Sequence, residues 1–150
     1  DRENDVAVIV MRPHPAGYQV EPFDEISSYE IVERLRDATF VHLGHEKLGA
    51  GSPGEVHRLN TKAARLLVQS TTGRVIKEAE GNIGTCHGDS GSPVYIEEPN
   101  GRMKLIGMHQ AGAGLGAQFA IAGTDGMCSR ISIFMPVARV RQLVEKLMAE

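Results

Sequence analysis

The chain has 150 residues, 41% hydrophobic and 23% charged, with a net charge of −3; that size and balance predict one soluble-type globular domain. The acid excess gives no basic footprint for nucleic acid. No run approaches the roughly 18 apolar residues of a membrane-spanning helix, and the start does not read as a signal peptide.

Taken in order, Asp5 is followed by the apolar run Val6 to Met11, which predicts a buried strand. Two prolines and a glycine between Arg12 and Gly17 end it, and Tyr18 to Val20 makes a short extended piece. From Glu21 to Asp37 two readings stand: a short helix capped by Ser27 and Glu30 and carrying Ile31, Val32 and Leu35, or a connecting loop. Ala38 to Gly44 predicts a strand and Leu48 to Gly54 a glycine-rich loop. Further strands are expected at Glu55 to Leu59 and Ala64 to Ser70, with a turn at Thr71 to Gly73. Val94 to Glu97 and Lys104 to Gln110 flank Pro99-Asn100-Gly101, a hairpin signal. Ala117 to Ala122 and Arg130 to Met135 supply the last strands. Pro136 then opens a helix, where its missing N–H does no harm, and Val137, Val140, Leu143, Val144 and Leu147 recur on one face. Short strands closed by one terminal helix predict a mainly β protein built as a small antiparallel barrel.

Chemistry concentrates in Thr85-Cys86-His87-Gly88-Asp89-Ser90-Gly91-Ser92-Pro93-Val94. Glycines at 88 and 91 permit a tight turn that residues with a Cβ form only at a cost. Such a turn lifts the Ser90 hydroxyl outward and can aim the Gly88 and Ser90 amides at one spot, the arrangement that stabilises an oxyanion. An ordinary polar turn is the alternative, because these residue types dominate turns.

Gly88-Asp89-Ser90-Gly91-Ser92-Pro93-Val94 resembles the nucleophile loop of chymotrypsin-fold serine proteases. Leu105-Ile106-Gly107-Met108-His109-Gln110-Ala111-Gly112 is similar to the strand that lines their specificity pocket, and Asn4-Asp5-Val6-Ala7-Val8 to the segment carrying their triad aspartate. The resemblance implies a serine endopeptidase acting on a peptide or protein substrate, with Ser90 as nucleophile, Asp5 as orienter of the base, and Gly88 and Ser90 as oxyanion donors. It implies no cofactor and no metal. Thr85 with His109 resembles two subgroups, the viral picornain-like (3C-like) proteases and the bacterial glutamyl endopeptidases, which cut after Glu or Gln. Thr85, His109 and Gly112 are then substrate-binding residues. Gly84 falls where trypsin-like enzymes hold an acidic pocket base, which disfavours Arg or Lys specificity.

The resemblance also implies a disulfide between Cys86 and Cys128, and with it secretion into an oxidising compartment. Two free thiols in a viral product of the host-cell cytoplasm is a second reading. A zinc site with His87 and His109 is a third, disfavoured because adjacent Cys86 and His87 lack ligand spacing. His14, His42, His45 and His57 show no metal spacing.

In this family the chain order is histidine, aspartate, serine. No histidine precedes Asp5, and His14 with Asp24 leaves too little chain for the strands that separate such a pair. The expected organisation is therefore the aspartate strand and inter-barrel connection at 1–37, a C-terminal barrel at 38–135 and the helix at 136–150. The general-base histidine would come from an N-terminal protease segment outside this chain. The isolated chain is expected to be inactive and to expose an apolar face. The alternative function is a pseudoprotease, a binding or structural module that keeps the fold without the chemistry. Asp89 is expected to be buried beneath the loop and satisfied by a local donor.

Overall fold

The computed structural model describes residues 35–46, 55–112 and 116–149. Over these residues the chain is mainly β with one α-helix. Strands β1 (Thr39–Glu46), β2 (Glu55–Thr61), β3 (Ala63–Val68), β4 (Val75–Ala79), β6 (Pro93–Glu97), β7 (Met103–Ala111) and β9 (Ile131–Pro136) form one seven-stranded sheet. Its order is β2-β1-β6-β7-β9-β4-β3, and every pair is antiparallel. Two short strands, β5 (Thr85–Cys86) and β8 (Cys128–Ser129), pair separately. Helix α1 spans Val137–Ala149.

The sheet has to curl. Its two edge strands, β2 and β3, are joined through Lys62 alone, so the edges of a seven-stranded sheet must approach one another. Register shifts at Ala63/Arg65, Val94/Tyr95 and His109/Ala111 supply the bends, because an extra residue on one strand increases local twist. The result is an antiparallel half-barrel. Its concave side holds Leu35, Phe40, Val75, Val94, Ile106 and Phe134, all buried, with Ala38, Ala63, Leu66, Val68 and Ile96 packed around them. Phe40 on β1 and Phe134 on β9 meet inside this core with ring centroids 6.3 Å apart. Helix α1 covers another side, where Leu143 packs with Met135 and half-buried Met108 and Val140.

Most expected elements recur with small boundary shifts, including the Pro99–Gly101 hairpin, where Gly101 takes φ +80° and Glu98 and Arg102 close the loop. Three expectations change. Residues 117–122 are not a strand: Ala117–Phe119 form a single 3₁₀ turn, and only Ala120 bridges to Ser129. Gly116 at φ +125° and Gly123 at φ +80° bracket the segment and stop an extended run. Pro136 ends β9, opposite Gly107, and the helix begins at Val137. The third change is the addition of β4 and of the short pair β5 and β8. Strand β4 alternates buried and half-buried residues, but one inward position is Lys77, which breaks the apolar pattern in the sequence. The expected strand at 6–11, the alternatives for 21–34, the loop at 48–54 and Asp5 lie outside the described residues.

Candidate functional site

The Ser90 segment is two consecutive tight turns. Asp89 N–H donates to Cys86 O at 3.2 Å, and Ser92 N–H donates to Asp89 O at 3.0 Å. Each turn has a glycine at its third position, Gly88 at φ +101° and Gly91 at φ +85°. Positive φ there is what a type II turn requires, and glycine meets it without strain. The second turn is fastened to β7 from both sides: Gly91 N–H donates to His109 O and His109 N–H to Ser92 O, each at 2.8 Å. Ser90 is thereby held at an exposed apex, where its hydroxyl donates to Gln110 O at 3.3 Å.

Beneath the apex lies Asp89, fully buried. Its Oδ2 accepts the Cys86 N–H at 2.9 Å, so the side chain folds back over the first turn and braces it, as expected from the sequence. The backbone amides of Asp89, Gly91 and Ser92 are all committed to carbonyls, whereas among the described residues those of Gly88 and Ser90 are not. Two amides that no backbone carbonyl among the described residues takes thus flank one exposed hydroxyl.

The disulfide joins Cys86 of β5 to Cys128 of β8, directly opposite one another in the two-stranded ladder. The free-thiol and zinc readings of these cysteines are corrected accordingly. His87 is exposed and His109 buried, and the described residues contain no cluster of three metal-type ligands. The bridge holds Thr85 beside Ser129, and thereby one wall of the expected pocket. Gly84 lies against this wall too: a Cβ there would come within 1.9 Å of Ser129 O, so an acidic side chain has no room at that position.

Thr85, His109 and Gly112, the residues expected to bind substrate, lie close together. A Cβ on Gly112 would lie 2.4 Å from Thr85 Oγ1, 2.8 Å from Ile131 O and 3.4 Å from His109 Cε1. All three residues are buried. Among the described residues the Thr85 hydroxyl has no hydrogen-bond partner, an unusual condition for a buried polar group, which costs free energy when unsatisfied. His109 Nδ1 lies 3.0 Å from Ser132 Oγ. With that hydroxyl donating, the neutral ring carries its proton on Nε2 and presents a donor. Burial first, and the nearby Lys77 cation second, lower the His109 pKa from 6.5 to about 4, so the ring is neutral at physiological pH.

Several neighbours escaped the sequence reading. His42 on β1 is fully buried and meets the His109 ring edge-on, with centroids 5.9 Å apart. Ser132 on β9 holds His109 and is the register partner of Lys77 on β4. Lys77 is 1% exposed; its ammonium bonds the Thr61 hydroxyl and sits 5.0 Å from the Phe40 ring centroid. A recoverable signal was Val75-Ile76-Lys77-Glu78-Ala79, a period-two strand with a lysine on its inner face. A separate apolar groove of about 550 Å³ starts at Gly91 and Pro93 and runs past Leu105 and Met108 to Val140 and Val144 of α1.

No family model, no curated protein and no solved structure matches the chain.

Proposed function

We propose that this chain carries the nucleophile half of a serine endopeptidase with a chymotrypsin-like fold, cleaving after Glu or Gln. The observation that carries this reading is the Ser90 apex: an exposed hydroxyl, flanked by two amides that no backbone carbonyl among the described residues takes, on a turn pinned to the strand that bears His109. A hydroxyl so placed attacks a peptide carbonyl, and the Gly88 and Ser90 amides receive the oxyanion. The C–N bond then breaks, leaving an acyl-Ser90 ester that water hydrolyses. Thr85 and His109 supply a hydroxyl and a neutral N–H for the carbonyl oxygen of a Glu or Gln side chain. A pocket whose buried polar groups need partners rejects apolar side chains, which would leave those groups unpaired. The Cys86–Cys128 bridge is compatible with an oxidising compartment.

A serine needs a base to take its proton. Among the described residues no imidazole bonds Ser90: His109 is taken by Ser132, and Ser90 itself donates to Gln110 O. The base is assigned to a histidine supplied by an N-terminal protease segment outside this chain, with Asp5 as its orienter. This same observation favours a second reading, a pseudoprotease that binds a Glu- or Gln-bearing peptide without cutting it.

Labelling with a fluorophosphonate separates the two. An activated Ser90 is expected to be phosphonylated, with a mass increment that maps to the Thr85–Val94 peptide and disappears in Ser90→Ala. Binding of such peptides without labelling, in the chain alone and in its natural precursor, would establish the pseudoprotease.

A further inference from the structure

A buried positive charge that acts on this pocket belongs to none of the residues that line it. His109 is neutral at working pH, and of the remaining buried ionisable groups among the described residues, His42 meets its ring and Asp89 is bound to the Cys86 amide. Lys77 is different. It is buried on the concave face, bonded to the neutral Thr61 hydroxyl of β2 and set over Phe40 of β1. No carboxylate among the described residues pairs with it. Glu78, the next residue on β4, belongs to the opposite side of the strand and is taken by Arg65 at 2.8 Å and Arg130 at 3.6 Å. An unpaired buried cation is costly, and strongly perturbed ionisable groups cluster at functional sites. Lys77 also stands opposite Ser132, whose hydroxyl holds His109. The cation thus lies on the Ser132 side of the pocket histidine, out of contact with the pocket-lining atoms.

We propose that Lys77 is a specificity-determining positioning residue of the Thr85–His109–Gly112 pocket, favouring a glutamate carboxylate over the isosteric glutamine amide. The inference rests on the pocket reading given above. Thr85 and His109 contact either side chain alike, because both present a carbonyl-type oxygen. The two differ in their second polar atom, an acceptor in Glu and a donor in Gln, and in charge; Lys77 reads the charge, through space rather than by contact. An interaction between unit charges roughly 10 Å apart at an effective dielectric near 20 corresponds to roughly a tenfold preference.

The groups around Lys77 also fix the pH behaviour. Burial lowers its own pKa from 10.5 to about 7, His109 stays neutral above about 4, and a glutamate ligand is ionised above about pH 4.3. The preference for Glu is therefore present below about pH 7 and fades as the pH rises through it.

The test is calorimetric binding, which needs no catalysis, of a short peptide amide ending in Glu and of its Gln counterpart to the full chain. The wild-type chain is expected to bind the Glu peptide roughly tenfold tighter at about pH 6, with the ratio falling toward one by about pH 8.5. In Lys77→Met the ratio is expected to be near one at both values, with Gln affinity kept. Lys77→Arg, whose charge persists, is expected to hold the preference at the higher pH. A purely packing role would change both affinities together and leave their ratio alone. A Glu/Gln ratio in the wild-type chain that does not move with pH overturns the inference without any variant, and an unchanged ratio in a folded Lys77→Met overturns it while leaving the pocket intact. Failure of both peptides to bind the wild-type chain overturns the pocket reading, and the role of Lys77 with it.

Discussion

Replacing Lys77 by methionine is expected to stabilise the protein, and by an amount that depends on pH. In the fold, burial lowers the lysine pKa from 10.5 to about 7. At 1.36 kcal/mol per pH unit, keeping the ammonium charged in the fold costs on the order of 5 kcal/mol relative to the unfolded chain. Between about pH 7 and 10.5 the unfolded chain binds the proton and the folded chain does not, so stability rises with pH across that window. Below about pH 7 both states are charged and the full cost stands. Methionine removes the charge and nearly matches the volume, but it leaves the Thr61 hydroxyl without its partner, a loss of about 1–3 kcal/mol. The net gain expected near pH 6.5 is therefore roughly 2–4 kcal/mol, the scale seen when buried ionic groups give way to apolar ones. Urea unfolding of both proteins at intervals from about pH 6 to about pH 10 measures it, and their difference isolates Lys77 from other titrations. The gap is expected to shrink steadily above pH 7 and to change sign near the upper end, where only the Thr61 term survives. A pH-independent gap, or a Lys77→Met protein less stable than wild type near pH 6.5, would refute the reasoning.

Gly112→Ala is expected to lose Glu- and Gln-peptide binding and about 1–3 kcal/mol of stability, because the new methyl meets the Ile131 carbonyl at 2.8 Å as well as the Thr85 hydroxyl; calorimetry and urea unfolding report the two effects. His109, held neutral with a pKa near 4 against 6.5, makes stability fall as the pH drops from about 6.5 toward 4, since only the unfolded chain binds the proton there. That loss is expected to be absent in His109→Phe, with thermal unfolding at stepped pH as the check. Reducing Cys86–Cys128, which closes a separation of 42 residues, is expected to cost about 4 kcal/mol by loop entropy, seen as a lower urea midpoint in the presence of dithiothreitol.

Much of the local structure was legible in the chain because it depends on nearest neighbours. Gly88 and Gly91 mark turns whatever surrounds them, since φ near +100° and +85° is a property of single residues. Pro99-Asn100-Gly101 ends one strand and starts another for the same reason, and the apolar spacing after Pro136 is a helix face before it has anything to pack on. Alanine-rich 117–122 misled for want of such a signal: its composition allows a strand, and the glycines at either end decide against one.

The half-barrel required the whole sheet. That β2 and β3 are opposite edges joined through Lys62 follows from pairings among strands far apart in sequence, and only that closure buries Lys77 against Thr61 and Phe40. Thr85, His109 and Gly112 could be grouped from a motif, but their convergence to within a few ångströms depends on the β7 bulge between His109 and Ala111 and on the β5–β8 ladder. The charge state of the site lies still further from the sequence. A lysine and a histidine read as ordinary cation and ordinary switch until burial lowers both pKa values, and burial is a property of the packed interior rather than of either residue.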